Sequence, residues 1–349
     1  MQTAFDGLAE RCRQALTGKY RQGRQHQAGP LLESELQLIQ QQGCHDGFLE
    51  AEKVVRECRQ RGAVCRLVGS GCSSLVSYLL GLSDVDPVKF RLHYQRFYST
   101  ADGLPPKFQL CTAHTDEFDP NTDFDPALIA LRPMTRLERI AWLTTVEGEA
   151  ESSLHDPSVY SALWHEDAQA IFQFEHPDVR HFAAILQPKR IREVATVTAL
   201  HHIEVTEPKV VARFLRQRTG RQRVPEDQGR FIARGPLLFQ EQVMGFLRLW
   251  AGMPWNDSYE FVRAAASHRL DQSGVTAAVK AGLRQKASSE DEAADRFLTL
   301  QSTATYAVCL AHHVANATTS YRAAYLFRRH PDRFKAAANE PLPVEALTP

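Results

Sequence analysis

Apolar residues recur at helical spacing over most of this 349-residue chain. Residues 31–43 (LLESELQLIQQQG) and 48–62 (FLEAEKVVRECRQRG) each carry one apolar stripe and end in a glycine, as helices with a glycine cap do. From about residue 135 onward nearly every segment has this spacing, and alanine and leucine are abundant. Residues 1–25 predict a polar amphipathic helix that ends in a flexible basic connector. The chain is therefore expected to be mainly helical.

Short segments in the first half of the chain depart from this spacing. Residues 63–71 (AVCRLVGSG) predict a buried strand that runs into a Gly-Ser turn, and residues 73–82 (SSLVSYLLGL) predict the helix that follows. Two further strands are predicted at 107–112 and 127–134, separated by a loop rich in Pro, Asp and Thr. The fold class is thus mainly α with a small α/β part. The expected units are an N-terminal helix with its connector (1–30), the α/β module (31–140), a helical domain (141–340) and a tail (341–349).

Composition excludes several classes of protein. Lys and Arg together number 41, as do Asp and Glu, so no overall basic charge indicates a nucleic-acid partner. No segment approaches the roughly 20 apolar residues of a membrane span, and we expect a cytoplasmic protein without membrane contact. The seven cysteines include three at seven-residue spacing, Cys58, Cys65 and Cys72, but they form no C-x-x-C pair. We expect buried, reduced thiols and no metal or cofactor.

The segment VGSGCSSLVSYLLGLSDVDPVKFRLHYQRF (68–97) resembles the palm domain of bacterial DNA polymerase III alpha subunits, the C-family polymerases. There a glycine-rich turn precedes SLVAY, a D-DP element and ERF. Three later blocks are similar to the fingers of that family and stand in the same order: AIFQFE (170–175), FQEQVM (239–244) and the helical stretch from residue 306 to 334. The resemblance implies a degenerate palm followed by helical fingers, with the family's thumb missing because the palm-like blocks lie too close together.

The resemblance also implies where catalytic carboxylates are expected. Polymerases of this family hold two Mg²⁺ ions with a Pro-Asp-x-Asp pair after ERF and a third aspartate on a later strand. Here the pair aligns with Lys107 and Gln109, and the third position with Ala130 or, in another register, with Asp125. Mg²⁺ prefers oxygen anions as ligands, and a protonated lysine cannot bind it. We therefore expect no catalytic residues, with Lys107, Gln109 and Ala130 as degenerate positions.

Other family positions have changed as well. The arginine beside the Gly-Ser turn is Val68, and the Arg-Pro-Gly-Pro element that faces the nucleotide reads His202-Ile203-Glu204-Val205. The resemblance implies that a remnant phosphate-binding set survives, comprising Gly69, Ser70, Gly71, Ser74, Arg263 and His312.

Two charged segments could carry a different chemistry. Residues 114–126 hold Asp116, Asp119, Asp123 and Asp125, but their spacing does not fit a calcium loop, and the prolines favour Asx-turn roles. Residues 209–235 are basic, and an ordinary solvated surface is as good an interpretation as phosphate contacts. The nucleic-acid patch predicted in that segment comprises Arg213, Arg216, Arg218, Arg221 and Arg223.

These observations predict a truncated, catalytically inactive homologue of the polymerase alpha subunit. We expect it to serve as an accessory or scaffold in DNA replication, repair or damage-tolerant synthesis, with a protein partner and at most weak, non-specific DNA binding. One alternative is residual DNA-directed nucleotidyl transfer, with metals held by the acidic loop that ends at Asp125. A second alternative is a simple DNA-binding module that uses the basic patch.

Overall fold

A computed structural model describes residues 2–98, 104–113, 124–143, 154–219 and 236–339. The elements of the first half are α1 (Gln2–Lys19), α2 (Gln22–Gln42), α3 (His45–Gln60), β1 (Cys65–Val68), α4 (Leu75–Leu79), α5 (Pro87–Phe90), α6 (Gln95–Tyr98), β2 (Phe108–Thr112), β3 (Ile129–Pro133) and α7 (Arg136–Leu143). They are followed by α8 (Pro157–Ala162), α9 (Pro177–Leu186), α10 (Ile191–Glu204), α11 (Pro208–Arg218), α12 (Gln240–Ala251), α13 (Trp255–Ala266), α14 (Val275–Lys286), α15 (Glu290–Tyr306), α16 (Leu310–Arg329) and α17 (Pro331–Asn339). Three-residue to five-residue 3₁₀ turns occur at Gly69–Ser73, Glu166–Ala170 and Leu270–Gln272. The predicted fold class, mainly α with a small α/β part, is confirmed.

The described strands form one three-stranded sheet in the order β1-β2-β3. β1 pairs antiparallel with β2, and β2 pairs parallel with β3. All three strand predictions are confirmed, because each predicted segment contains one of these strands. One face of the sheet packs on α3, where the rings of Phe48 and Phe108 lie 4.8 Å apart in an edge-to-face arrangement.

The prediction of a flexible connector after the first helix was wrong. The helical backbone is interrupted at Tyr20 and Arg21 alone in this segment. α2 then continues through two glycines and Pro30 as far as Gln42. Ala28 and Leu32 of this segment are buried in the main core. The burial of this apolar face stabilises a helix that local propensity disfavours.

The helix predicted at 73–82 is shorter than expected. Gly69–Ser73 forms a 3₁₀ turn, Ser74 is extended, and only Leu75–Leu79 is α-helical. The long helical stretch near the C-terminus is also interrupted. Val308 lies between α15 and α16 and forms a parallel bridge with Phe239, accepting from Gln240 N at 2.9 Å. Tertiary pairing thus competes with helix formation at Val308.

The apolar residues form two principal clusters. The larger cluster joins α1–α3, the sheet, α8–α11 and α16, and the smaller one joins α12–α15. Six of the seven cysteines are buried and Cys309 is partly buried, all as free thiols. Among the described helices, none combines the length and the apolar character that crossing a membrane needs.

Candidate functional site

The sheet brings the predicted degenerate positions together. Val68 on β1 pairs with Gln109 on β2, and Gln109 pairs with Ala130 on β3. Lys107 directly precedes β2, two residues before Gln109. Asp125 lies before β3, and the observed register therefore selects Ala130 over Asp125 as the neighbour of Gln109. Lys107 and Gln109 are exposed and Ala130 is partly exposed.

Gln109 also covers the start of the Gly-Ser turn. Gly69 has a φ of +75°, and a Cβ placed on it would meet Gln109 Oε1 at 2.5 Å. The positive φ favours glycine at this position, whereas the exposed side chain of Gln109 could move away from a Cβ. The amide of Gln109 therefore occupies the space directly above the turn.

The helix that follows the turn is already capped by protein groups. The carboxylate of Glu35 accepts hydrogen bonds from the backbone N–H groups of Leu75 at 2.8 Å and Val76 at 3.3 Å. Tyr98 donates its hydroxyl to the same carboxylate at 2.7 Å. Burial raises the pKa of Glu35 to about 7, although these hydrogen bonds act in the opposite direction. A protein carboxyl group thus already occupies the N-terminus of α4.

The predicted phosphate-binding residues of the turn serve the fold. Ser74 is fully buried, and its hydroxyl accepts from Ser77 N at 2.9 Å as the cap of α4. Gly71 is buried, with Leu67 at 2.9 Å from where its Cβ would be. Ser70 is partly exposed, and its carbonyl accepts from the Ser73 hydroxyl at 2.7 Å. Ser74 and Gly71 therefore have structural contacts, and their assignment as phosphate-binding residues stays a prediction.

A second row of residues lies next to the first on the same side of the sheet. Arg66 on β1 pairs with Cys111 on β2, and Cys111 pairs with Arg132 on β3. Both arginines contact the fully buried carboxylate of Glu138 on α7, Arg132 at 2.8 and 2.9 Å and Arg66 at 3.4 Å. Arg66 also donates to the hydroxyl of Thr319 on α16. This network joins the sheet to two helices.

Glu138 has a second role at the start of α7. Its carboxylate accepts from Thr135 N at 2.9 Å, while its own backbone N–H donates to Thr135 Oγ1 at 3.3 Å. The T-x-x-E sequence is that of a capping box, and this signal could have located the cap from the sequence. Burial alone would raise the pKa of Glu138, but the hydrogen bonds from Arg132 and the charge of Arg66 lower it to about 2. The sequence gives no comparable signal for the arginines on β1 and β3.

His312 lies in a row of packed histidines. The ring of His313 is 5.1 Å from that of exposed His202 and 5.4 Å from that of His312. His312 Nε2 lies 3.1 Å from Asn316 Nδ2, and since an amide nitrogen donates, the ring is a neutral acceptor. Burial, followed by the charge of neighbouring His202, lowers the pKa of His312 to about 4. Thr198 Oγ1 lies within hydrogen-bond distance of His313 Nδ1, at 3.0 Å. The His313 ring is therefore held by a hydrogen bond as well as by its neighbouring rings.

The sequence FQEQVM (239–244) connects three parts of the molecule. Gln240 accepts a hydrogen bond from Arg96 Nε at 2.8 Å, and so links α12 to α6. Buried Glu241 accepts from Leu310 N at 2.8 and 3.0 Å and caps α16. Gln242 accepts from the N–H groups of the two residues preceding α12, both at 2.9 Å. Each polar residue of this block therefore has a structural partner.

Two models of one protein family match the chain. The Bacterial DNA polymerase III alpha NTPase domain matches residues 6–112, and the Bacterial DNA polymerase III alpha subunit finger domain matches residues 144–288. The chain belongs to the bacterial DNA polymerase III alpha family. The first match includes Lys107 and Gln109, whereas Ala130 lies between the two matched segments.

Curated relatives of the chain are named error-prone DNA polymerase. The protein from Methylococcus capsulatus is 34% identical over 112 residues, which are 32% of this chain and 11% of the relative. That from Anaeromyxobacter sp. is 39% identical over 83 residues, 24% of this chain and 7% of the relative. That from Symbiobacterium thermophilum is 28% identical over 198 residues, 54% of this chain and 18% of the relative. The chain thus spans less than a fifth of the length of these relatives.

The remaining predicted site residues of this polymerase homologue lie apart from the sheet row or outside the described residues. Arg263 on α13 is partly buried and pairs with Glu260 at 3.3 Å on its own helix. Arg213, Arg216 and Arg218 are exposed on α11, while Arg221 and Arg223 lie outside the described residues. The structure therefore describes three of the five arginines of the predicted basic patch, all on α11.

The acidic loop is only partly described. Asp125 accepts from Ala127 N at 2.8 Å, which is the Asx-turn role expected from the adjacent proline. Asp116, Asp119 and Asp123 lie outside the described residues. In the ranges that the structure describes, no group of three or more His, Cys, Asp or Glu side chains is arranged to hold a metal ion.

Proposed function

We propose that this chain is a catalytically inactive relative of the polymerase alpha subunit, which acts as an accessory or scaffold in DNA replication, repair or damage-tolerant synthesis. The observation that supports this proposal is the pairing of Gln109 with Ala130 across the parallel strands. These are positions where the family resemblance implies metal-binding aspartates. Neither an amide nor a methyl group supplies the negative charge that two Mg²⁺ ions require.

Electrostatics around the row disfavour a divalent cation further. Lys107 directly precedes β2, and Arg66 and Arg132 occupy the row next to Gln109, where both contact Glu138. Two guanidinium groups and one carboxylate leave a net positive charge. Like charges a few ångströms apart repel in a partly buried site. The site is better suited to excluding Mg²⁺ than to binding it.

The preserved contacts support a scaffold role. Gln240 and Glu241 link α12 to α6 and α16, Gln242 accepts from the residues before α12, and Glu35 caps the helix after the Gly-Ser turn. The three residues of α12 belong to the FQEQVM block of the family resemblance, and Glu35 lies in the segment that the first family model matches. The blocks therefore maintain the fold at positions that do not depend on catalysis.

Primer extension tests the proposal directly. Purified protein with a primed template, all four deoxynucleotides and Mg²⁺ or Mn²⁺ should extend no primer. The double variant Lys107→Asp, Gln109→Asp should remain inactive, because Val68 and His202 replace the groups that grip the nucleotide. Extension by the unmodified protein that disappears in Asp125→Asn would overturn the proposal and favour residual nucleotidyl transfer.

A further inference from the structure

Two adjoining cavities form a groove that neither the sheet row nor the Gly-Ser turn lines. The cavities have volumes of about 580 and 330 Å³ and share Arg192, Leu237 and Gln242 in their walls. The walls come from the start of α10, the end of α11, the segment before α12 and α12 itself. Since the two cavities share a wall, an extended ligand could contact both.

The groove carries an excess of positive charge. Its carboxylates are Glu193 and Glu241, and both accept hydrogen bonds from the backbone, Glu193 from Lys189 N at 2.8 Å and Glu241 from Leu310 N. Five cationic side chains line the two cavities: Arg91, Lys189, Arg190, Arg192 and Arg218.

Arg192 lies at the junction of the two cavities. It donates to the carbonyl oxygen of Phe90 at 2.6 Å, which fixes the direction of its guanidinium. Burial lowers the pKa of Arg192, and the neighbouring charge of Arg91 lowers it further. Two cations within electrostatic reach of each other favour an anionic ligand.

The floor of the groove is apolar. Leu249 is 56% exposed and is available for contact, whereas Leu237 is 4% exposed. The aromatic rings in the walls, Phe214, Phe239 and Phe246, are buried, with at most 7% exposed. Single-stranded nucleic acids bind largely by stacking bases on accessible rings, which these walls do not offer. Aliphatic side chains of a peptide fit such a floor better.

We propose that this groove docks an acidic, amphipathic peptide segment of a protein partner. Its carboxylates would face the five cations, and its apolar side chains would contact Leu249 and the floor between the helices. The proposal rests on the accessory function proposed above and names the surface through which the chain meets its partner. Ion pairs at the rim would set specificity and the rate of association, and apolar burial would supply affinity.

The test uses the full chain and a phage-displayed library of random-sequence peptides. Peptides selected on the unmodified protein should be enriched in Asp, Glu and large apolar residues. At low salt, a groove variant with three charge reversals should bind a selected peptide at least about tenfold more weakly. Those changes are Lys189→Glu, Arg190→Glu and Arg91→Glu, none of which belongs to the basic patch on α11.

A matched control reverses three exposed cations near the C-terminus. Arg328→Glu, Arg333→Glu and Lys335→Glu change the net charge equally and should leave peptide affinity unchanged. Leu249→Ser should weaken the peptide several-fold without changing the binding of a dT oligonucleotide. Circular dichroism of each variant verifies that it is folded.

Two results would overturn the proposal. The first is a set of selected peptides that is not enriched in Asp and Glu, or a selected peptide that the groove variant binds as tightly as the control variant does. The second is that no acidic peptide is selected and that the binding of a dT oligonucleotide is lost in the groove variant. The groove would then be a nucleic-acid site. Primer extension is measured independently, so a failure of this proposal is distinguishable from a failure of the proposed function.

Discussion

Replacing Glu138 with glutamine tests the charged network beside the candidate site. The carboxylate is 0% exposed and pairs with Arg132 and with Arg66, which is 6% exposed. Glutamine has nearly the same shape but carries no charge. The substitution therefore leaves a buried guanidinium without its anion while it preserves the packing of α7.

Two independent routes give the expected magnitude. The pKa of Glu138 is about 2 in the folded chain against an ordinary value of 4.5. At about 1.4 kcal/mol per pKa unit this difference corresponds to roughly 3 kcal/mol of stability at neutral pH. Breaking a buried ion pair by removing one partner costs about 3–5 kcal/mol. We expect Glu138→Gln to lower the free energy of unfolding by about 3 kcal/mol.

The assay is urea denaturation followed by circular dichroism at several pH values. Because the folded pKa is depressed, the contribution of Glu138 is complete above pH 4.5 and is lost as the pH falls through 2. The difference in the free energy of unfolding between the unmodified protein and Glu138→Gln should decrease as the pH falls from 4.5 to 2. Glu290→Gln is the control, because its exposed pair with Arg284 should contribute at most about 1 kcal/mol. A loss below about 1 kcal/mol at neutral pH, or a gap independent of pH, would refute this reasoning.

Two further predictions concern the capped turn and the basic patch. Burial raises the pKa of Glu35 from 4.5 to about 7, so its contribution to stability is complete below pH 4.5 and is lost as the pH rises through 7. Glu35→Gln cannot titrate, so between those pH values its free energy of unfolding should rise by up to about 3 kcal/mol relative to that of the unmodified protein. A difference in the free energy of unfolding that does not change with pH in urea denaturation would contradict this. DNA binding should be weak and strongly salt-dependent. Charge reversal on α11 should remove most of this binding in a fluorescence anisotropy assay. Binding that the variant retains unchanged would show that the patch is an ordinary solvated surface. That variant combines Arg213→Glu, Arg216→Glu and Arg218→Glu.

Much of the fold could be predicted from local sequence. The strands at 65–68, 108–112 and 129–133 and most of the helices follow from residue spacing and turn residues, which act over a few positions. The ordered blocks from residue 68 onward also indicated the polymerase family, which the family models confirm. The resemblance also implies that Lys107 and Gln109 stand where the family has aspartates, and this assignment stays a prediction.

The tertiary structure decided what these positions contact. The sequence allowed either Asp125 or Ala130 as the third position, and only strand pairing placed Ala130 beside Gln109. Strand register depends on which faces are buried and on partners far away in the chain, so a single strand does not specify it. The same reason applies to α2, which forms because its apolar residues reach a core built by distant helices.

Long-range contacts also explain the residues whose roles the sequence did not reveal. Glu35 caps a helix 40 residues away, and Glu138 meets Arg66 across 72 residues. A buried charge is tolerated only where the fold supplies its partner, and the sequence around Glu138 indicates its helix cap but not its contact with Arg66. The sequence by itself determined the family. The tertiary structure decided which distant groups Glu35, Glu138 and the packed histidines contact, because those contacts form only in the folded chain.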